Sequence, residues 1–154
     1  MRRVDFAKAE PVWNALKNII AVWVFGSGRE GILRHGGDID IAVLFDNLPD
    51  LDELAELRAS LQDVLEVEEI DILLLNSAGA ISSFEAVSGK SLYCRDKGRR
   101  AEFVSLAARQ YEDDMAFMAK GMAIYFEGRQ KRTGTEPVAG KGTFTHADLG
   151  DILK

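Results

Sequence analysis

Cysteine is almost missing from this chain. Cys94 is the only one in 154 residues, so no intramolecular disulfide can form, and a reducing compartment, the cytoplasm, is expected. Its placement in an apolar stretch reads as a small hydrophobe rather than a nucleophile. Two histidines and one cysteine give no cluster of the kind that holds zinc. No apolar run approaches the roughly 20 residues of a membrane span. The opening MRRVDFAKAEP has two arginines but no apolar stretch behind them, which predicts no signal peptide. Positive charge is also scarce. With 19 Lys and Arg against 25 Asp and Glu, the net charge of −6 argues against a basic surface that wraps nucleic acid.

The charge is unevenly spread. Acids dominate from Asp46 to Asp71, where Arg58 is the only cation, whereas Arg95–Arg100 and Arg129–Arg132 are basic. Most of these charges read as solvated faces, although a basic patch also suits a triphosphate or an acidic partner. A hydrophobic content of 47% is enough for one globular domain with a real core.

The pattern of the chain predicts alternating helices and strands. Val12, Trp13 and Leu16 recur at helical spacing, so an opening helix is expected over 7–18, with Pro11 in its first turn. A strand follows from Ala21 to Phe25. A short helix around Arg29 to Leu33, beginning at Ser27, would aim free amides at a phosphate. A second strand runs from Asp38 to Phe45. Asp50, with Glu53 three residues on, caps a helix over about 51–66 whose stripe is Leu51, Leu54, Leu57 and Leu61. A third strand spans Val67 to Leu75, a helix carries Ile81, Phe84 and Val87 to about Gly89, and Ser91 to Cys94 forms a short fourth strand. From Arg99 to about Gly128 runs a long helix striped by Phe103, Leu106, Ala107, Tyr111, Met115, Met118, Met122 and Tyr125. Its stripe reads as core up to Tyr111 and, beyond Met115, as a surface for a protein partner. The domain is thus expected over 1–130, with a flexible or partner-ordered tail over 131–154.

The chemistry is concentrated in AVWVFGSGREGILRHGGDIDIAVLF. Gly26-Ser27 stands ten residues before Asp38-Ile39-Asp40. Side chains alternate along a strand, so Asp38 and Asp40 share one face while Ile39 and Ile41 point into the core. An isolated Asp-x-Asp is often no more than a strand end facing solvent. Here it stands beside a glycine-rich turn whose N–H groups can cradle phosphates, and two carboxylates suit a magnesium ion that carries a nucleoside triphosphate. Gly26 and Gly28 allow close approach of the chain to the phosphates. Asp71 lies in an otherwise apolar strand, where an acid is costly unless it is paired or binds a metal. Should that strand lie beside the second, Asp71 joins Asp38 and Asp40. Three carboxylates then hold two magnesium ions, and Asp71 is also placed to take the proton of an attacking hydroxyl. His35, in the same loop, reads as a solvated residue rather than a base.

Gly-Ser, ten residues, Asp-x-Asp and a later strand Asp together resemble the nucleotidyltransferase superfamily of polymerase β type. More narrowly, they resemble the minimal nucleotidyltransferase (MNT) domains of prokaryotes. The resemblance covers about residues 7–128, including LYCRDKGRRAEF and YEDDM. It implies an α/β (α+β) fold with a short mixed sheet of about four strands flanked by helices. It also implies Asp38, Asp40 and Asp71 as catalytic metal ligands, with Gly26, Ser27, Arg29 and Arg34 on the nucleotide. Many members have Ala at the position of Arg29, Arg at that of Glu30 and Ser at that of Gly37; Arg29 or Arg34 would replace the lost arginine. The activity implied is transfer of AMP from ATP, with Mg2+, to a hydroxyl, in many such proteins a tyrosine of a HEPN-domain ribonuclease toxin that the MNT antitoxin neutralises. Two other readings stay open: an antitoxin acting by stoichiometric binding alone, and a small-molecule nucleotidyltransferase, for which the chain has little room for a substrate domain. Base preference and homo- or hetero-oligomeric state are not given by the sequence.

Overall fold

The computed structural model describes residues 2–133, with side chains as far as Gly128. Its strands and helices follow the order β1 (Arg2–Arg3), α1 (Glu10–Ala15), β2 (Ile19–Phe25), β3 (Ile32–Leu33), β4 (Ile39–Phe45), α2 (Leu51–Leu65), β5 (Ile70–Leu74), α3 (Ala80–Val87), β6 (Lys90–Cys94) and α4 (Lys97–Thr133). Four strands form one mixed sheet in the order β5-β4-β2-β6, and β1 and β3 make a separate two-stranded ribbon. β2 is antiparallel to both β4 and β6, whereas β4 and β5 are parallel. Parallel neighbours need a crossover, and α2 supplies it.

The sheet buries both faces. On one, Ile19, Val22, Val24, Ile39, Ile41 and Val43 pack with Trp13 of α1 and Leu57, Leu61 and Leu65 of α2. On the other, Ile20, Ala21, Trp23, Ala42 and Leu44 meet Ala86 of α3 and Phe103 and Val104 of α4. The two alanines let α3 and α4 sit close, and Trp23 leans on Phe103 with ring centroids 6.4 Å apart. The shift in register between Ile19 and Ala21 is what lets the adjacent residues Ile20 and Ala21 both lie in the same layer, while Ile19 is buried in the other.

Local chemistry explains the element ends. The Asp50 carboxylate accepts from Glu53 N–H at 2.8 Å and caps α2, which ends at Glu66 in the left-handed conformation (φ 54°). Asp96 accepts from Arg99 N–H at the start of α4, and Arg99 in turn pairs with Asp46 just past β4. Asn76 extends the β4–β5 ladder by one step, exchanging two side-chain hydrogen bonds with the backbone of Phe45 at 2.9 and 2.8 Å.

Two expectations are corrected. The opening helix over 7–18 is a 3-10 turn (Phe6–Ala9) capped by Asp5, followed by α1, and it stops before the extended Leu16 because Ile19 already belongs to β2. No helix forms around Arg29 to Leu33. Arg29 N–H and Gly31 N–H donate to Gly26 and Gly28 carbonyls in successive tight turns, Gly31 has φ +79°, and Ile32–Leu33 pair with Arg2–Arg3 instead. The long helix is unbroken and longer than expected. At 1.5 Å per residue its 37 residues reach about 55 Å.

Of its stripe, Ala107 is buried and Phe103 and Tyr111 are half-buried, but Leu106 is exposed; Val104 takes its place against the sheet. Beyond Met115, Phe117, Met118, Met122, Ile124, Tyr125 and Phe126 are all exposed. The expected tail over 131–154 lies outside the described residues except for the end of α4. Among the described residues, no helix is long and apolar enough to cross a membrane.

Candidate active site

The site lies at one end of the sheet, where β2 runs into the Gly26 turn. Asp38 immediately precedes β4 and Asp40 is its second residue, so both side chains fall on the face shared with Ala42, while Ile39 and Ile41 are fully buried on the other. Parallel pairing places Asp71 of β5 directly opposite Asp40. Asp38, Asp40 and Asp71 can each offer a carboxylate oxygen within 4.8 Å of the other two. Two are half-buried and Asp71 is exposed. Burial therefore is not what makes Asp71 notable; its register beside Asp40 is.

Gathering these acids perturbs one of them. The Asp40 carboxyl is pushed above the ordinary carboxylate range, first by burial, then by the negative charges of Asp38, Asp71 and Glu85. Repulsion of this kind is relieved by a cation. An oxygen-rich cluster of three carboxylates fits a hard divalent metal.

The turn is built against the acids. Gly26 adopts φ +75°, and a Cβ there would stand 2.4 Å from Asp40 Oδ2. Only glycine satisfies both conditions. Gly28 is similarly tight, with a Cβ 2.8 Å from Ile39 Cδ1 and 3.0 Å from the Asp38 carbonyl oxygen, so the turn's backbone lies on the start of β4. The Ser27 and Gly28 amides are not spent on the backbone carbonyls that hold Arg29 and Gly31.

Beside this turn opens a cleft of about 480 Å³ lined by Phe25, Gly26, Arg29, Ile81, Phe84, Glu85, Ser88, Gly89 and Tyr111. Phe84 and Tyr111 stack at 4.3 Å between centroids, joining α3 to α4 along its wall. Of the residues expected on a nucleotide, Gly26 and Arg29 line the cleft and Ser27 lies in the turn between them. Arg34 does not line it; it is exposed in the tight turn closed by Gly37 N–H to the Arg34 carbonyl. His35 is exposed in the same turn.

The sequence did not point to Glu85, Ser88 or the Phe84–Tyr111 pair. Phe84 and Tyr111 were visible only as members of apolar helical stripes, and Glu85 only as a polar residue between them.

A parallel strand pair with three acids at its end, a glycine turn closed on them and an adjoining cleft make up the candidate site. The chain belongs to the polymerase beta, nucleotidyltransferase family, whose model matches residues 7–98. No curated protein matches the chain. Among solved structures, it is similar to a toxin–antitoxin crystallised with AMP-PNP, at 23% identity and a TM-score of 0.63 over 81% of this chain and 98% of that one. It is also similar to the toxin–antitoxin MntA–HepT (21%, TM-score 0.58, 80% and 96%). A third likeness is to a complex of tri-AMPylated Shewanella oneidensis HEPN toxin with MNT antitoxin (23%, TM-score 0.54, 75% and 87%). These likenesses carry the fold.

Proposed function

We propose that the chain is a divalent-metal-dependent nucleotidyltransferase that moves AMP from ATP to a hydroxyl, a tyrosine of a HEPN toxin, and so serves as the antitoxin of the pair. The observation that carries the chemistry is the convergence of Asp38, Asp40 and Asp71 beside the Gly26 turn. The neighbours crystallised with AMP-PNP and with an AMPylated toxin support the substrate and the acceptor. The exposed apolar residues of α4 beyond Met115 support an acceptor that is itself a protein.

In this reading Asp38 and Asp40 would hold the metal, and Asp71 would complete the set, two ions being shared among the three carboxylates. Magnesium suits these ligands, since it takes one or two carboxylates and leaves its remaining positions to phosphate oxygens and water. Bound there, it supplies charge neutralisation on the triphosphate and Lewis acidity toward the attacking oxygen. The Ser27 and Gly28 amides and Arg29 hold phosphate oxygens. The cleft takes the nucleoside, whose base faces the Phe84–Tyr111 wall. The acceptor hydroxyl forms its bond to the α-phosphorus as the bond to pyrophosphate breaks, and Asp71 receives the proton. Cytoplasmic ATP and magnesium would serve this reaction, and the half-buried thiol of Cys94 suits a reducing setting.

The test is the intact mass of a HEPN toxin after incubation with the chain, ATP and magnesium. Addition of one or more AMP units, absent with Asp38→Asn/Asp40→Asn, is expected. An unmodified partner would overturn the reading.

A further inference from the structure

Next to Arg29, a residue of the cleft lining, stands a charge arrangement that the three acids do not explain. Glu30, at the end of the glycine turn, places Oε2 3.6 Å from Lys90 Nζ and Oε1 3.8 Å from Arg29 Nε. One carboxylate thus rests between two cations that come from different parts of the fold. Arg29 lines the cleft, and Lys90 follows directly on Ser88 and Gly89, which line it as well.

Lys90 is held at its root and free at its tip. It is the first residue of β6 and pairs with Val24, two residues before Gly26, so its side chain starts on the Val24 face, opposite the acids, and meets Glu30 at the end of the sheet. Gly89 packs so tightly that a Cβ would lie 2.3 Å from the Val24 carbonyl oxygen, which fixes the start of β6 against the strand feeding the turn. The Lys90 side chain is nevertheless 60% exposed, and the Arg29 and Glu30 side chains 56% and 67%. Ion pairs this exposed are individually weak and exchange readily. A triphosphate carries several negative charges and enough oxygens to meet both cations at once, so it outcompetes a lone carboxylate for them.

Resting on the nucleotidyltransferase reading above, we propose that Lys90 is a second triphosphate-binding cation acting with Arg29. Glu30 is then an internal competitor that must leave both cations before the triphosphate settles. The site reads its ligand against a built-in anion: a monophosphate gains little by displacing Glu30, whereas a triphosphate gains several contacts. Glu30 accordingly sharpens discrimination between ATP and AMP.

The experiment is equilibrium binding of magnesium-ATP, of AMP and of inorganic tripolyphosphate to the full chain, by calorimetry at two salt concentrations. Glu30→Gln is expected to tighten ATP and tripolyphosphate about threefold to fivefold and to narrow the ratio between ATP and AMP. Lys90→Ala is expected to weaken ATP about tenfold and to flatten the salt dependence, Lys90→Arg restoring both. In the Lys90→Ala background the gain from Glu30→Gln should shrink, because one of the two competed cations is gone. All three positions are exposed, and a thermal melt confirms that each variant folds. Wild-type binding with Glu30→Gln neutral or weaker, or with Lys90→Ala unchanged, overturns this inference alone. Failure of the wild type to bind magnesium-ATP overturns both it and the nucleotidyltransferase reading.

Discussion

The two faces of the central sheet are finished differently. Under α1 and α2 the covering is complete, and β-branched residues from β2 and β4 meet Trp13, Leu57 and Leu61 with almost no exposure. Under α3 and α4 the layer uses alanines and a tilted Trp23–Phe103 pair, and at the Gly26 end the apolar side chains give way to Asp38, Asp40 and Asp71. A sheet face sealed from end to end has no place for three like charges, because each would lose its hydration. The face that α3 and α4 cover only in part leaves those acids half-buried or exposed, with a cleft beside them. Stability is thus concentrated on one side of the sheet and chemistry on the other.

The contrast can be broken most sharply on the open side. Asp38→Asn/Asp40→Asn should reduce AMP transfer by at least about a thousandfold while leaving the secondary structure intact, as followed by product mass and circular dichroism. On the closed side, Leu61→Ala should cost about 2–5 kcal/mol, read from urea unfolding, while the molecules still folded bind magnesium-ATP like the parent. Equal loss of affinity in that variant would show the two faces to be coupled.

Tyr111→Ala sharpens the comparison within the open face. Loss of a stacking surface should weaken ATP about tenfold and leave tripolyphosphate unaffected, since only ATP carries a base to reach the cleft wall. The smallest effect concerns the apo protein. Asp40 holds its proton more tightly folded than unfolded, so in the window between its ordinary and its raised pKa the native state binds more protons. Stability therefore falls as pH rises through that window and stays lower above it. Asp40→Asn should remove this penalty and raise the metal-free melting temperature above the parent's, whereas added magnesium should stabilise the parent and leave the variant, which lacks a ligand, little changed.

Much of this was legible in the residues because alternation along a strand is a short-range property. The parity of Asp38, Ile39, Asp40 and Ile41 alone assigns acids to one face and core to the other, and the structure agrees. Asp71 was legible only conditionally, because its role depended on which strand β5 joins, and the parallel register opposite Asp40 settles that. The segment after Gly26 misled because residues 29–33 have no strong turn signal apart from Gly31, and their pairing partner, Arg2–Arg3, is remote in the chain. Glu85, Lys90 and Tyr111 lie far from the motif, and nothing in their spacing announces a site. Only the packing of α3, β6 and α4 around the turn brings them to it.

The crossover between the two acid-bearing strands has a consequence for timing. Asp40 and Asp71 become neighbours only when α2 has packed and β5 has docked in parallel beside β4. A chain released or stalled before Ile70 owns two of the three carboxylates and cannot complete the triad. Partial unfolding that frees α2 dissolves it as well. Competence at this site is therefore a report on the β4–α2–β5 unit, acquired when β5 docks and lost whenever that unit opens.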